Sequence, residues 1–312
     1  SHLNSDYSPL TRAQAIAFDG HFVVEQTSRD RSGLLMNFNG TAGVWRKSCI
    51  EESGGWQFTT LSEDLDLSYR AQLEGWETLY LLRVDAPAEL PPQMAAFKRQ
   101  QARWTQGSVQ TLRKLIGPIL RSPRLNLRQK GMALLHLSGY LAHALMVLLL
   151  LATLPLLLLG GKPSSLGNVG LLMGLGPPAV YVLSQRALYP DWRRRLLTFP
   201  LLILVGVGIA WNNAIAVWRG LTRWGGTFAR TPKFNVEGRG GRWPESAYRL
   251  SIDRSVLGEG FLAFYALAGT GIAFATGRYG MVPFLLLCAA AFGTVAGIEI
   301  YQATGHNRTA AS

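Results

Sequence analysis

The sequence predicts a mixed α/β module followed by an α-helical membrane bundle, because charge and hydropathy divide the chain into two unlike parts. Residues 1–97 carry 7 Lys and Arg against 13 Asp and Glu, a net charge of −6. Residues 98–312 carry 24 against 6, a net charge of +18, and contain five uncharged runs of 18 to 31 residues. Crossing a bilayer takes about 20 predominantly apolar residues, so these runs are candidate membrane helices. The positive charges border apolar runs instead of alternating with exposed aromatic residues, which argues against nucleic acid as a partner.

Short helices and strands are predicted in the acidic part. Residues 1–30 place apolar side chains at helical spacing and predict one or two helices. Leu34 to Val44 is a short apolar run interrupted by Asn39-Gly40-Thr41, which predicts a strand leading into a tight turn. Thr78 to Val84 predicts another strand, and Ser62 to Glu74 predicts a helix with acidic residues in its first turn.

The basic part begins with a long helix, predicted from Met94 to Leu120 by apolar residues spaced three and four apart. Arg and Lys lie between those apolar residues, so residues 98–130 are interpreted as amphipathic helices in the plane of the membrane interface. An ordinary surface helix packed on the acidic part is the alternative.

Residues 131–312 are interpreted as a transmembrane region. Leu145 to Leu159 is aliphatic on every face, which favours lipid over a buried protein core. Basic clusters precede the first apolar run and follow the second and third, and short basic connections favour the cytoplasmic side. If all three apolar runs crossed the membrane, the basic clusters before the first, after the second and after the third could not all lie on the cytoplasmic side. We therefore expect about four spans, with the segment near residues 196–218 lying at the interface without crossing.

Two motifs point to chemistry. Ser62-Glu63-Asp64 opens a helix, and by itself this pattern is typical of a Ser N-cap with acidic residues near the positive end of the helix dipole. Gln100, Arg103 and Trp104 form a Gln-x-x-Arg-Trp sequence on the following long helix. Together they resemble the Thr-Glu-Asp and Gln-x-x-Arg-Trp motifs of the processive, membrane-integrated family-2 inverting glycosyltransferases, the group of the cellulose and mannan synthases. Ser62 stands where that family has Thr.

Two further segments resemble the same family. Asn39-Gly40-Thr41 is similar to the turn near the acceptor's terminal sugar, with Asn where cellulose synthases tend to have Cys. Phe228, Arg230, Thr231 and Lys233 match a gating loop of the form Phe-x-Val-Thr-x-Lys, with Arg230 in place of Val. All four segments occur in the family's order. The resemblance extends over essentially the whole chain, which we expect to be the C-terminal portion of a longer protein.

The resemblance implies a domain organisation. Residues 1–97 would be the C-terminal half of a cytoplasmic, glycosyltransferase-A-type (Rossmann-like) catalytic domain. Residues 98–130 would be the interfacial helices, and residues 131–312 the membrane region with a gating-loop-like segment near residues 223–236. The protein would reside in the plasma (inner) membrane as a multi-pass protein.

The implied reaction is transfer of a hexose from UDP-glucose or GDP-mannose to a growing β-linked polysaccharide. A transferase that adds one sugar to a lipid acceptor and a non-enzymatic membrane scaffold or channel are the alternatives. The expected partners are a nucleotide sugar, a glycan or lipid-linked acceptor and the bilayer. Mg²⁺ or Mn²⁺ would be bound mainly by a nucleotide-binding half upstream of the matched region. No metal ligand is assigned in this chain, which alone is expected to be inactive.

The resemblance also assigns roles. Asp64 would be the base that accepts the proton of the attacking hydroxyl, and Glu63 and Asp66 would raise its proton affinity. Arg103, joined by Thr231 and Lys233 when the loop closes, would stabilise the departing diphosphate. Trp104 would stack on the acceptor sugar, with a membrane-interface anchor as the alternative role.

Overall fold

A computed structural model describes residues 1–40, 42–160, 176–228, 230–239, 243, 246 and 248–304. We number the helices in chain order. They are α1 (Pro9–Asp19), α2 (Thr27–Arg31), α3 (Lys47–Glu52), α4 (Glu63–Leu73), α5 (Met94–Arg121), α6 (Leu127–Ser138), α7 (Leu141–Leu158), α8 (Gly176–Leu188), α9 (Trp192–Arg195), α10 (Phe199–Gly208), α11 (Ala210–Thr222), α12 (Ser255–Ala275) and α13 (Val282–Thr304). A π-helical segment, Gly20–Gln26, joins α1 to α2, and 3-10 turns occupy Leu196–Thr198 and Tyr279–Met281.

The predicted N-terminal helices are confirmed. Ser8 caps α1 by accepting the Thr11 amide at 3.1 Å, and the Thr11 hydroxyl accepts the Ser8 amide in return at 2.9 Å. Pro9 occupies the first turn, where its missing amide costs nothing. The apolar face of α1 packs on α10, with Leu10 against Val205 and Ile209.

The two predicted strands are wrong: none of the described residues in 34–44 or 78–84 belongs to a strand. Side chains bind the backbone groups that a neighbouring strand would otherwise engage. The Gln72 side chain accepts the Met36 amide and donates to the Met36 carbonyl, each at 2.8 Å, and the Ser68 hydroxyl accepts the Phe38 amide. The Tyr80 amide donates to Asp30. In the described residues the α/β character of this module is therefore not seen.

Helix α5 runs through the centre of the molecule, as predicted from Met94 onward. It packs on α4 and α6 along one side and on α11 along another. Leu115 and Ile119 are buried in a cluster with Tyr69 of α4 and Leu137 of α6. One helix thus contacts both the acidic module and the apolar bundle.

The described residues include four helical stretches long and apolar enough to cross a membrane: Leu141–Leu158, Trp192–Thr222, Ser255–Ala275 and Tyr279–Thr304. Three correspond to predicted spans. Trp192–Thr222 contains the segment predicted to lie at the interface, and its helix is interrupted at Ile209. The predicted second span, residues 163–185, lies partly outside the described residues.

A buried ionic triad joins α5 to the bundle. The Lys98 ammonium lies 2.6 Å from a Glu259 oxygen on α12 and 2.8 Å from a Glu299 oxygen on α13. These side chains are 0% to 3% exposed. The other Glu299 oxygen accepts the Asp253 amide at 2.7 Å, which extends the network to the start of α12.

Candidate active site

A glycine in the interior of α5 brings the Ser62-Glu63-Asp64 motif against that helix. A Cβ atom at Gly107 would lie 2.0 Å from the Ser62 hydroxyl oxygen and 2.7 Å from the Ser62 backbone nitrogen. Gln110, one turn further along α5, accepts the Leu61 amide at 2.9 Å. Ser62 is the N-cap residue of α4, but its side chain makes no capping hydrogen bond. The close contact with α5, more than the cap, therefore fixes the motif.

Asp64 lies half-buried in the first turn of α4, facing the turn predicted to bind the acceptor. One carboxylate oxygen accepts the Leu65 amide at 2.8 Å. The other, Oδ2, lies 3.6 Å from the position of a Cβ atom at Gly40. Gly40 has φ +61°, a conformation that favours glycine. The structure thus brings Asp64 and Gly40 together. Asn39 directly precedes Gly40 in the chain, and Thr41 lies outside the described residues.

The environment of Asp64 suits a base. Burial raises the pKa of the Asp64 carboxyl above its usual value, and the charge of Glu63 raises it further. The Leu65 amide and the Arg103 charge lower it. A carboxylate with a raised pKa is a stronger proton acceptor than an ordinary aspartate.

Asp66, the third acidic residue of the motif, is part of a structural ion pair. Its carboxylate lies 2.9 Å from Arg70 and 2.8 Å from Lys114 of α5, and its side chain is 0% exposed. Two cations therefore neutralise it. Glu63 and Asp66 are the neighbours predicted to raise the proton affinity of Asp64. Glu63 does raise it, but burial of the Asp64 carboxyl has the largest effect.

Arg103 faces the two carboxylates from α5. Burial lowers the pKa of the Arg103 guanidinium, and the charges of Glu63 and Asp64 oppose that change. The guanidinium carbon lies 4.7 Å from the centre of the Phe228 ring, within the range of a cation–π contact. Glu63 and Phe228 both line a cavity of about 240 Å³. The motif on α4, the motif on α5 and the first gating-loop residue therefore meet at one place.

Trp104 and Gln100 occupy the neighbouring surface of α5. The Trp104 and Phe18 rings are nearly perpendicular with their centres 5.9 Å apart, and Phe22 stacks on Phe18. The three rings thus form one aromatic cluster that includes Trp104 of α5. The Gln100 side-chain oxygen is buried and has no hydrogen-bond partner among the described residues. Aromatic faces and a free amide acceptor are the groups that bind a sugar ring and its hydroxyls.

The gating-loop residues are divided between two places. Gln106 and Gln110 donate to the Gly225 carbonyl at 3.0 and 2.8 Å, and so hold the chain just before Phe228. Lys233 lies elsewhere, with its ammonium donating to the Glu89 carbonyl at 3.3 Å. Arg230 is exposed, and the buried Thr231 hydroxyl has no partner in the described part of the chain.

Three positioning residues were missed by the sequence analysis: Gln106, Gly107 and Gln110. Gly107 offered a signal, because a glycine inside a helix costs about 1 kcal/mol relative to alanine and therefore often marks a close contact. The glutamines offered none, since glutamine is common on exposed helix faces.

The described residues do not fit a metal centre. No three His, Cys, Asp or Glu side chains come together among them. Asp64 and Asp66 have the spacing of a cation-binding pair, but Arg70 and Lys114 already neutralise Asp66.

Comparison with known proteins identifies the family of the chain. The family model described as glycosyl transferase family group 2 matches residues 7–211. Glucomannan 4-beta-mannosyltransferase 2 of Arabidopsis thaliana is 42% identical over 128 residues, which are 41% of this chain and 24% of that protein. Glucomannan 4-beta-mannosyltransferase 1 of Oryza sativa subsp. japonica is 41% identical over 128 residues, 41% of this chain and 25% of that protein. The chain thus spans about a quarter of the length of these relatives. Because the family model extends over most of the chain and includes α4 and α5, the chain belongs to glycosyl transferase family group 2.

Proposed function

We propose that the protein is a membrane-integrated inverting glycosyltransferase that transfers a hexose from a nucleotide sugar to a growing β-linked polysaccharide. The observation that carries the proposal is the arrangement of Asp64, Arg103 and Gly40 at one site. Such a transfer requires a base, a cation and a backbone turn that is close enough to contact a sugar.

Asp64 acts as the general base. An acceptor hydroxyl attacks the anomeric carbon of the donor from the face opposite the diphosphate. The new carbon–oxygen bond forms as the bond to the phosphate oxygen breaks, and the departing diphosphate keeps that electron pair. Asp64 takes the hydroxyl proton, and the raised pKa of its carboxyl favours the transfer.

Arg103 stabilises the departing diphosphate. Its guanidinium interacts with the charges of Glu63 and Asp64 and lies over the Phe228 ring, where it could offset the developing charge of a phosphate. Thr231 and Lys233 would join it after the gating loop moves, since Lys233 is held by Glu89 in this structure. Trp104 and Gln100 bind the acceptor sugar.

The proposed donor is GDP-mannose, with UDP-glucose as the second choice. The support is that the matched relatives are named mannosyltransferases. The proposed organisation keeps residues 1–97 as part of a cytoplasmic glycosyltransferase-A-type domain, residues 98–130 as interfacial helices, and residues 131–312 as the membrane region in the plasma (inner) membrane.

The test uses membranes that contain the full-length protein, supplied with Mg²⁺ or Mn²⁺ and with radiolabelled GDP-mannose or UDP-glucose in parallel. We expect high-molecular-mass product from GDP-mannose and a loss of about 10²- to 10⁴-fold in Asp64→Asn, the usual contribution of a general base. Asp30→Asn, a change of the same kind outside the site, should keep full activity.

Each other result has a meaning. Polymer made from UDP-glucose and not from GDP-mannose would mean that UDP-glucose is the donor. Label confined to a solvent-extractable lipid would indicate single addition to a lipid acceptor. Equal product from Asp64→Asn would remove Asp64 as the base, and no product from either donor would reject both proposed donors.

A further inference from the structure

Two side chains of α4 hold the chain just before the Asn39-Gly40 turn, which is predicted to bind the acceptor and is called the acceptor turn below. At Met36 the Gln72 side chain accepts the backbone amide and donates to the backbone carbonyl, each at 2.8 Å. Two residues further along, the Ser68 hydroxyl accepts the Phe38 amide at 3.0 Å. The chain that leads to the acceptor turn is therefore bonded to α4 at every second residue.

These bonds define a register that ends at the predicted base. Three residues of α4, each four positions from the next, face three residues that are two positions apart and run in the opposite direction. The pairs are Gln72 with Met36, Ser68 with Phe38, and Asp64 with Gly40. Four residues of an α-helix advance about 6 Å, and two residues of an extended chain advance about 6–7 Å, so the two spacings match. In the third pair, Asp64 Oδ2 lies 3.6 Å from the position of a Cβ atom at Gly40.

Ser68 joins the two sides of this register through one hydroxyl group. It donates to the backbone carbonyl of Asp64 at 2.5 Å and accepts the Phe38 amide at 3.0 Å. Ser68 is only 1% exposed, so water has little access to replace either bond. The position of the base residue and that of the chain before the acceptor turn thus depend on the same buried group.

The residues in between are held by a different element. The Arg29 side chain of α2 donates to the Leu35 carbonyl at 3.0 Å, and the Gln26 side chain of the π-helical segment donates to the Asn37 carbonyl at 3.2 Å. The Asn37 side chain in turn donates to the side-chain oxygen of Asn39 at 2.8 Å. Because two elements bind alternate residues, the chain cannot slide along α4 without breaking bonds to both.

We propose that Ser68 and Gln72 are positioning residues for sugar transfer. They set the register that places the acceptor turn opposite the Asp64 carboxylate, and the missing side chain of Gly40 leaves room beside Oδ2 for the acceptor hydroxyl. The inference rests on the proposed function, because it takes Asp64 as the base. It adds two residues that act through the position of Asp64 and not by contact with a sugar.

The experiment compares kcat and the donor KM among variants in membranes that contain the full-length protein, supplied with radiolabelled GDP-mannose or UDP-glucose. We expect kcat to fall about tenfold in Ser68→Ala and about threefold in Gln72→Met, within the range that one hydrogen bond contributes. The donor KM should not change, since the register acts on the acceptor side. Ser184→Ala removes a buried hydroxyl that donates to the Tyr181 carbonyl within α8, and it should keep full activity.

Two further measurements separate positioning from folding. If Ser68 acts through the Asp64 carboxylate, Ser68→Ala should have little additional effect on the residual rate of Asp64→Asn, because coupled residues are not additive. Backbone hydrogen exchange of residues 34–40 should be faster in Ser68→Ala than in Ser184→Ala, because the Phe38 amide loses its acceptor.

The outcomes distinguish this inference from the proposed function. Full kcat in Ser68→Ala, or the same fold decrease with and without the Asp64 carboxylate, would overturn the role of Ser68 and leave Asp64 as the base. Unchanged hydrogen exchange in Ser68→Ala would show that this hydroxyl does not hold the chain at Phe38. Full activity in Asp64→Asn would instead reject the base, and the positioning role would fall with it.

Discussion

At the residue scale, Asp64 depends on neighbours with opposing effects. Burial and Glu63 raise the pKa of its carboxyl, whereas the Leu65 amide and Arg103 lower it. A general base works only when deprotonated. We therefore expect kcat/KM to fall as the pH drops through the raised pKa of Asp64, which gives an acidic limb in the pH profile.

The variant Glu63→Gln tests that assignment. Removing the Glu63 charge removes one of the effects that raise the Asp64 pKa, so the acidic limb should move to lower pH. The measurement is the pH profile of kcat/KM for the full-length protein. Glu74→Gln removes one charge at the other end of α4 and should leave the limb in place. A limb that stays put in Glu63→Gln, or moves upward, would mean that another group controls it.

Sequence reasoning named residues whose type is tied to chemistry and missed residues whose role depends on distant contacts. Asp64 and Arg103 were named from their motifs, and the structure brings them together. Gln110 was missed because it joins Leu61, 49 residues before it, to Gly225, 115 residues after it. No local pattern reveals such a pairing.

At the element scale, the contact between α4 and α5 depends on Gly107. In a helix interior, alanine is normally more favourable than glycine by about 1 kcal/mol. At Gly107 the added Cβ would collide with the Ser62 backbone nitrogen, so α4 and α5 must move apart. We expect Gly107→Ala to reduce kcat by about 10²-fold, as a displacement of about 1 Å at a reactive group can do.

Gly117 provides the matched control on the same helix. A Cβ there would meet only an Arg121 nitrogen at 3.8 Å, an ordinary contact. Gly117→Ala should therefore keep its activity and gain up to about 1 kcal/mol in unfolding free energy. Unchanged activity in Gly107→Ala would show that α4 and α5 tolerate a wider separation than the structure has.

The ionic triad makes a second prediction at this scale. Lys98→Met leaves the buried carboxylates of Glu259 and Glu299 without their cation, and such a loss costs about 3–5 kcal/mol. Thermal unfolding in detergent should show this loss of stability. The triple variant Lys98→Met/Glu259→Gln/Glu299→Gln should recover most of the lost stability. Lys47→Met, which breaks an exposed pair with Glu51, should change stability by less than about 1 kcal/mol. A stable Lys98→Met single variant would contradict the triad.

The helices were predicted better than the strands for a physical reason. A helix satisfies its own backbone groups, so the apolar spacing from Met94 onward is sufficient to predict α5. A strand needs a partner strand, which the sequence pattern does not identify. At Met36 the partner is the Gln72 side chain, and the described residues around it join no sheet.

At the scale of the whole molecule, packing contacts indicate which ends of the membrane helices lie on the same side. Arg278, in the turn after α12, donates to the Leu156 carbonyl near the end of α7, so these two ends share one side. Near the end of α8, Gln185 donates to Asp19 of α1 at 2.8 Å, and α10 packs on α1. Helix α10 also packs on α13, so it lies between the acidic module and the apolar bundle, and an interfacial position without a crossing stays a prediction.

Cysteine labelling in intact cells decides between the two topologies. If residues 196–218 lie at the interface, Asp191→Cys and Arg239→Cys are both cytoplasmic, and a membrane-impermeant maleimide labels them only after the cells are opened. Tyr279→Cys, 63% exposed in the turn after α12, should be labelled from outside. The native Cys49 and Cys288 are buried and give the background. If Trp192–Thr222 crosses fully, Asp191→Cys is labelled from outside with Tyr279→Cys while Arg239→Cys stays protected, because a crossing places its two ends on opposite sides.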